Sequence, residues 1–297
     1  MYTFNCLDNF FAAIAYQPFT FPLYRSRLQA IKFTPSTVAI AAADAANQPI
    51  GLALAEIRPD GQSAEVLSIF VKPIYRQQGV GTALFNRLAA ELRRRGCTTA
   101  HLVYTSGQPT TLALERMLQK GNWTSPQPRM LVCKTSLDRI VQAPWMQRSA
   151  LPSSYQICRW TEVTPAERFD IQQRQKLLSW IPPDLVPFHY EQNLEPLNSL
   201  GLRYQGQVVG WMITHRLAPD TIRYTCSFVR EDLQKMGRII PLYVNAIQAQ
   251  NQMNIAKGIW TVPFCHASMV QFVKKRMASY MNELEETRSS YQRLEPV

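Results

Sequence analysis

The chain has 297 residues, 46% of them hydrophobic, enough for two domains of ordinary size. Its net charge of +11 suits an acidic ligand, but the excess is spread over both halves, seven up to Trp145 and four beyond it. That spread, with no basic stretch interleaved with stacking aromatics, excludes a nucleic-acid arm, and no segment has the apolar length of a membrane span.

Residues 2 to 34 are rich in aromatics (Phe4, Phe10, Phe11, Phe19, Phe21, Tyr24, Phe33) and predict one or two helices broken around Pro18 and Pro22. Phe10 to Ala15 follows Asp8 rather than a basic stretch, which points to a core helix and not a signal peptide. Three antiparallel strands follow at Thr37 to Asp44, Ile50 to Ile57 and Glu65 to Val71, joined by turns at Asn47-Gln48-Pro49 and Pro59-Asp60-Gly61. The third strand runs through Arg76-Gln77-Gln78-Gly79-Val80-Gly81 into a helix that stops at Gly96. A strand at Ala100 to Tyr104, a helix at Thr110 to Lys120 and a closing strand at Arg129 to Lys134 complete this half. Strand, helix, strand in succession predicts a parallel pair at the centre of an otherwise antiparallel sheet.

Residues 139 to 153 read as a linker, carrying Pro144, Ser149 and Pro152, and then the pattern begins again. Leu200 to Tyr204, Val208 to Arg216 and Ile222 to Val229 repeat the three-strand series. A helix around Arg238 to Ala249, a strand Ile255 to Val262, a helix Ser268 to Tyr280 and a last strand at Tyr291 to Leu294 follow. Gln48-Pro49-Ile50-Gly51 aligns with Gln207-Val208-Val209-Gly210, and Arg76-Gln77-Gln78-Gly79 with Gln234-Lys235-Met236-Gly237, at offsets of 159 and 158. The chain therefore reads as a duplicated α/β domain, 1–138 and 154–297, around a linker at 139–153.

A strand ending Val71-Lys72-Pro73, then Arg76-Gln77-Gln78-Gly79-Val80-Gly81-Thr82 opening a helix, resembles the acetyl-CoA loop of the GCN5-related N-acetyltransferases. The likeness extends over residues 37 to 134, and the whole chain resembles the tandem form in which two such domains are fused. The resemblance implies a mixed, mostly antiparallel sheet with a central parallel pair and flanking helices in each domain. It implies transfer of an acetyl group from acetyl-CoA to an amine by direct attack. The amides of Gln77, Gln78, Gly79, Val80, Gly81 and Thr82 would hold the CoA pyrophosphate, where a helix N-terminus favours an anion. Pantetheine would add to the strand at Ile69, Phe70 and Val71. Arg76 would contact phosphate; Lys72 fits a solvated loop as well.

A primary amine with a pKa of about 10.4 is neutral in only about one molecule in 2500 at pH 7, a barrier of roughly 4.6 kcal/mol to direct attack. Glu65 stands six positions before Val71, as the family's strand glutamate base does, and alternation puts Glu65, Leu67, Ile69 and Val71 on one face. An apolar setting there would raise its pKa toward the working pH; an exposed glutamate at a strand start is the other account of it. Glu56 is the reserve base. The family's usual acid, a tyrosine four residues before the Gly that ends the second helix, is Met117 here, so Tyr104 or Ser106 at the neighbouring strand end would substitute, Ser106 also as a cofactor contact.

The second copy carries Arg223 for Glu65 and Ile239 for Gly81, and reads as degenerate. His189, His215 and the pair Cys265-His266 give no catalytic expectation, because neighbours in a chain point apart and no orienting partner is visible. Six cysteines at 6, 97, 133, 158, 226 and 265 with no CxxC predict free thiols in a reducing, cytoplasmic setting and no metal. The rival to an enzyme is a non-catalytic acyl-CoA-binding regulator or interaction protein. Oligomeric state and acceptor are open.

Overall fold

The computed structural model describes residues 1–31, 34–147 and 150–295, so Phe33 and Ser149 lie outside the described residues. Two compact units emerge, Met1–Arg129 with Glu286–Val297, and Met130–Glu285.

The first unit opens with β1 (Thr3–Cys6), an edge strand where the aromatic content predicted only helix. Two short helices follow, α1 (Phe10–Ile14), capped by the Asn9 side chain on Ala12 N, and α2 (Arg25–Gln29). Pro18 and Pro22 sit in single 3-10 turns between them, at positions where a missing N–H costs nothing. Strands β2 (Thr37–Ala43), β3 (Pro49–Ile57) and β4 (Ser63–Val71) extend β1 as an antiparallel series. Helix α3 (Val80–Arg94) then leads to β5 (Thr99–Thr105), which lies parallel to β4. Along α3 the buried Val80, Leu84, Leu88 and Leu92 recur every fourth residue and form one apolar stripe against the sheet. Helix α4 (Thr111–Lys120) packs into the same core through Leu114, Met117 and Leu118. A second core on the opposite face joins Leu28, Tyr16 and Phe19 to Ala39, Ala41, Leu52 and Leu54.

The second unit is built from β6 (Gln127–Ser136), β7 (Tyr155–Arg159), β8 (Leu200–Tyr204), β9 (Gln207–Ala218), β10 (Thr221–Val229) and β11 (Lys257–Pro263). Strands β7 to β10 are antiparallel neighbours, and β11 is parallel to β10. Its helices are α5 (Leu137–Ile140), α6 (Pro165–Leu178), α7 (Glu231–Gln234), α8 (Ile239–Gln252) and α9 (Ala267–Phe272). Helix α6 is an element that the hydrophobic pattern does not announce, although its start is written in the chain. Thr164 and Glu167 form a capping box, with Pro165 at the first helical position.

The outer strands are exchanged. Strand β6, expected to close the first sheet, pairs antiparallel with β11 of the second unit through Met130↔Pro263 to Ser136↔Lys257. The last strand, β12 (Glu283–Arg293), pairs antiparallel with β5 of the first unit through Thr287↔Thr105 to Arg293↔Thr99. The units therefore differ from a division at residues 139–153. Strand propensity and alternation specify that a segment is extended, not which sheet edge it joins.

Within each unit the duplication holds in detail. Leu67 is the extra residue of a bulge in β4, and Thr225, 158 positions on, is the extra residue of a bulge in β10. A Cβ on Gly51 would stand 2.8 Å from Phe70 O, and one on Gly210 would stand 2.8 Å from Phe228 O. The parallel ladders stop at Val66↔Leu102 and at Tyr224↔Trp260.

Candidate active site

Beyond Val66 the strands β4 and β5 part, although β4 continues to Val71 and β5 to Thr105, so Ser68–Val71 remain paired with β3 alone. A slot with an unpaired strand edge thus opens beside the loop between β4 and α3. That loop is pinned on several sides. Tyr75 donates to Asp44 Oδ2 at 3.0 Å, Gln78 Nε2 donates to Ile74 O at 2.9 Å, and Tyr2 donates to Gln78 Oε1.

The loop contains two left-handed residues, Gln77 at φ 61° and Gly79 at φ 80°, the kind of backbone that builds anion-binding concavities. Nothing lies within 4 Å of a Cβ built on Gly79, so backbone conformation alone accounts for glycine there. Gly81 is different: a Cβ would meet Met117 Sδ at 3.0 Å. Met117, in the place of the family tyrosine, fills space against the start of α3. The first helical amide with a backbone partner is Ala83, donating to Gly79 O at 2.9 Å, and among the described residues the six amides from Gln77 to Thr82 have no protein acceptor. Unpartnered amides at the positive end of a 15-residue helix are suited to an anion.

The matching loop of the second unit is closed on itself. Met236, Gly237 and Ile240, the counterparts of Gln78, Gly79 and Thr82, donate to Leu233 O, Gln234 O and Gly237 O, and Pro241 has no N–H at all. In the last pair of the second ladder Tyr224 stacks on Trp260 with ring centres 4.2 Å apart, and beyond it Tyr243 Oη lies 2.8 Å from Ser227 Oγ. All three aromatics are buried in the core of this unit. Arg223 sits opposite His215 and Ile259 as Glu65 sits opposite Glu56 and His101, and is directed at Thr261 Oγ1.

Arg76 folds back onto its own strand, donating from Nε to Val71 O at 2.9 Å, with its guanidinium 5.8 Å from the Phe70 ring centre. Gln234 does the same to Val229 O at 2.8 Å, so this contact is a staple of the loop in both copies. Phe70 stacks on Phe19, and Lys72 Nζ lies 5.5 Å from the Phe19 ring centre.

The shared face expected for Glu65, Leu67, Ile69 and Val71 does not exist. The bulge at Leu67 shifts the alternation, so Leu67 and Phe70 pack toward α1 and α2 while Ile69 and Val71 pack toward α3. Nor is Glu65 in an apolar setting. Its side chain is 43% exposed and faces Arg58 Nη2 at 3.7 Å. Glu56, directly across the ladder from Glu65, is held by Arg27 through two hydrogen bonds of 3.0 and 2.9 Å. An arginine thus offsets each of two facing carboxylates. His101, beside Glu65 on β5, has its pKa lowered by burial first and by the Arg58 charge second, with Glu65 acting in the opposite sense.

Tyr104 donates to Glu115 Oε1 at 2.7 Å, and Glu115 also accepts from Arg288 Nη1 at 3.0 Å, with Arg288 reaching Glu286 in turn. Burial, then the bond to Glu115, pushes the Tyr104 pKa well above its ordinary value. Ser106 joins the ladder to β12, where its N–H and its hydroxyl both meet Glu286 O at 2.7 and 3.0 Å. The Tyr104, Glu115 and Arg288 network was invisible in the sequence, because its arginine comes from the exchanged last strand. Trp180 and Ile181 pack into the second unit's core, and His215 is engaged by Thr225 and Gln192. A surface groove of about 640 Å³ lies along α4 between Leu112 and Pro126, and its lining includes none of residues 76–82.

The parting parallel pair and the unpartnered loop amides fit an acyltransferase, the class to which the family match assigns the first unit. Residues 6–117 match the acetyltransferase (GNAT) family model. A tandem GNAT protein from the clavulanic acid biosynthesis pathway is 12% identical, each chain fully covered, with a TM-score of 0.59. A GCN5-related N-acetyltransferase from Sphaerobacter thermophilus is 14% identical over 99% of this chain and 96% of that one, TM-score 0.60. The glucosamine N-acetyltransferase region of a fungal multi-domain GH3 β-N-acetylglucosaminidase is 13% identical over 98% of this chain, which spans 38% of that longer one, TM-score 0.63. No curated protein matches the chain. The first unit is a GNAT-family domain, and the chain as a whole has the fold of the tandem members of that family. No helix among the described residues is long and apolar enough to cross a membrane.

Proposed function

We propose that the first unit binds acetyl-CoA and transfers its acetyl group to an amine by direct attack, and that the second unit binds no acyl-CoA. The observation that carries this is the row of six unpartnered amides from Gln77 to Thr82 beside the open edge of β4. In this proposal the amides hold the pyrophosphate and pantetheine pairs with Ile69, Phe70 and Val71. A strand N–H in the slot holds the thioester oxygen as it gains charge. The amine nitrogen forms its bond to the carbonyl carbon, the carbon–sulfur bond breaks, and the sulfur leaves as thiolate.

Glu65 takes the amine proton through water, since its exposure gives it solvent contact and its ion pair with Arg58 is the looser of the two. Tyr104 is not the proton source in this scheme. Its hydroxyl donates to Glu115 Oε1 at 2.7 Å, so the thiolate takes its proton from solvent. Ser106 and Arg76 support the site through the backbone they hold.

The test is calorimetric binding of acetyl-CoA together with thiol release across a panel of amines. Binding with amine-dependent thiol release is expected. Binding without turnover on any acceptor would favour the regulator, a reading that the Met117 side chain in place of a tyrosine supports; no binding would end both.

A further inference from the structure

The second unit brings Asp184 together with His266, 82 positions further along the chain, and with its neighbour Cys265. Asp184 lies on the turn Pro183–Leu185, and Cys265 and His266 lie where β11 gives way to α9. One donor atom from each of the three lies within 4.8 Å of the other two, and His266 Nε2 is 2.6 Å from Asp184 Oδ2. The expectation that Cys265 and His266 point apart without an orienting partner is therefore overturned, since the fold supplies Asp184. Both segments are held by their backbones. Tyr190 donates to Asp184 O at 2.8 Å, His266 N to Pro263 O at 3.1 Å, and Val270 N to His266 O at 3.0 Å.

We infer that Asp184, Cys265 and His266 form a binding site for a borderline divalent transition-metal cation of the Zn²⁺ class. Thiolate, imidazole and carboxylate together are the donor mixture that such a cation takes, whereas Mg²⁺ and Ca²⁺ take oxygen alone. The thiolate and carboxylate neutralise the two positive charges, and neutral imidazole completes three protein ligands. Cys265 and Asp184 are exposed, so the cation enters from solvent and a water takes the fourth position. Binding replaces the thiol proton, which passes to buffer, so affinity falls as pH is lowered. The site shares no residue with the acyl-transfer site of the first unit and does not depend on that assignment.

The experiment uses the full chain, treated with a chelator and then titrated with Co²⁺ as a spectroscopic probe and with Zn²⁺ in competition. One equivalent of Co²⁺ per chain should produce a thiolate-to-metal charge-transfer band and tetrahedral visible bands, both bleached by Zn²⁺. Cys265→Ser should remove the charge-transfer band, and Asp184→Asn or His266→Ala should weaken Co²⁺ binding at least about tenfold. Cys6→Ser, at the other exposed thiol, should change nothing. No band at stoichiometric Co²⁺, or a band that survives in Cys265→Ser, overturns the assignment and leaves the three residues as a surface ion pair beside a free thiol.

Discussion

Gly79→Ala separates the strain of the cofactor loop from its use. At φ 80° with nothing within 4 Å of the new Cβ, the substitution adds no clash, only the cost of a left-handed alanine. That cost is roughly 1–2 kcal/mol, and the stiffer unfolded chain returns about 0.4–1 kcal/mol of it in the opposite direction. The net is about 1 kcal/mol of destabilisation, or about 2–4 °C in the melting temperature of a unit this size. Relief of the strain requires the loop to turn its amides away from one another. Charged hydrogen bonds contribute about 1.5–3 kcal/mol each, so losing one of them should weaken acetyl-CoA by about ten- to a hundredfold. Gly96→Ala is the matched control, with φ 89°, equally empty space and a position past the far end of α3. Melting scans and calorimetric titration of the two variants should show similar thermal shifts but weakened binding in Gly79→Ala alone. Equal affinities in both variants would refute the assignment of the loop as the pyrophosphate site.

Glu65→Gln should lower the acetyl-transfer rate by about a hundredfold or more if its carboxylate accepts the proton, while acetyl-CoA affinity stays the same. It should also move the His101 pKa further below the ordinary histidine value, because Glu65 opposes the effect of burial and of Arg58; an unmoved histidine resonance in an NMR titration would show that the two groups do not face each other. Tyr104→Phe should leave the rate within about threefold and cost about 1–2 kcal/mol of stability for the lost bond to Glu115; a rate collapse would make Tyr104 the acid after all. Glu91, held by Arg94 and Arg95, and Glu167, held by Arg203 and Thr164, both have folded pKa values lowered to about 2. Their stabilisation is complete above the unfolded value of about 4.3 and is lost as pH falls toward 2, so acid melting curves of Glu91→Gln should be flatter across that window than those of the parent.

The strands, the major helix α3 and the duplicated register were legible because each rests on local signals: alternation, a Gly stop, turns with polar residues. In the second loop the sequence shows Ile239 in the place of Gly81, whereas the bonded amides of Met236, Gly237 and Ile240 are seen only in the fold. What could not be read was whatever depends on pairing at a distance. The exchange of β6 and β12 is one case, and with it went the source of Arg288, which reaches Glu115 from the far end of the chain. A single extra residue, Leu67, is another, since it moved Ile69 and Val71 to the face opposite Leu67 without any mark in the hydrophobic pattern. Arg58 opposite Glu65 and Asp184 beside His266 are contacts across strands and turns, and no spacing in the sequence announces them.

A crystal structure of the full chain grown with acetyl-CoA tests the central claim most directly. One molecule per chain is predicted, its diphosphate on the amides of Gln77 to Thr82 and its pantetheine along Ile69 to Val71, with the second loop at Gly237 to Pro241 empty. A diphosphate seated on the second loop, or none on the first at saturating ligand, would contradict the account.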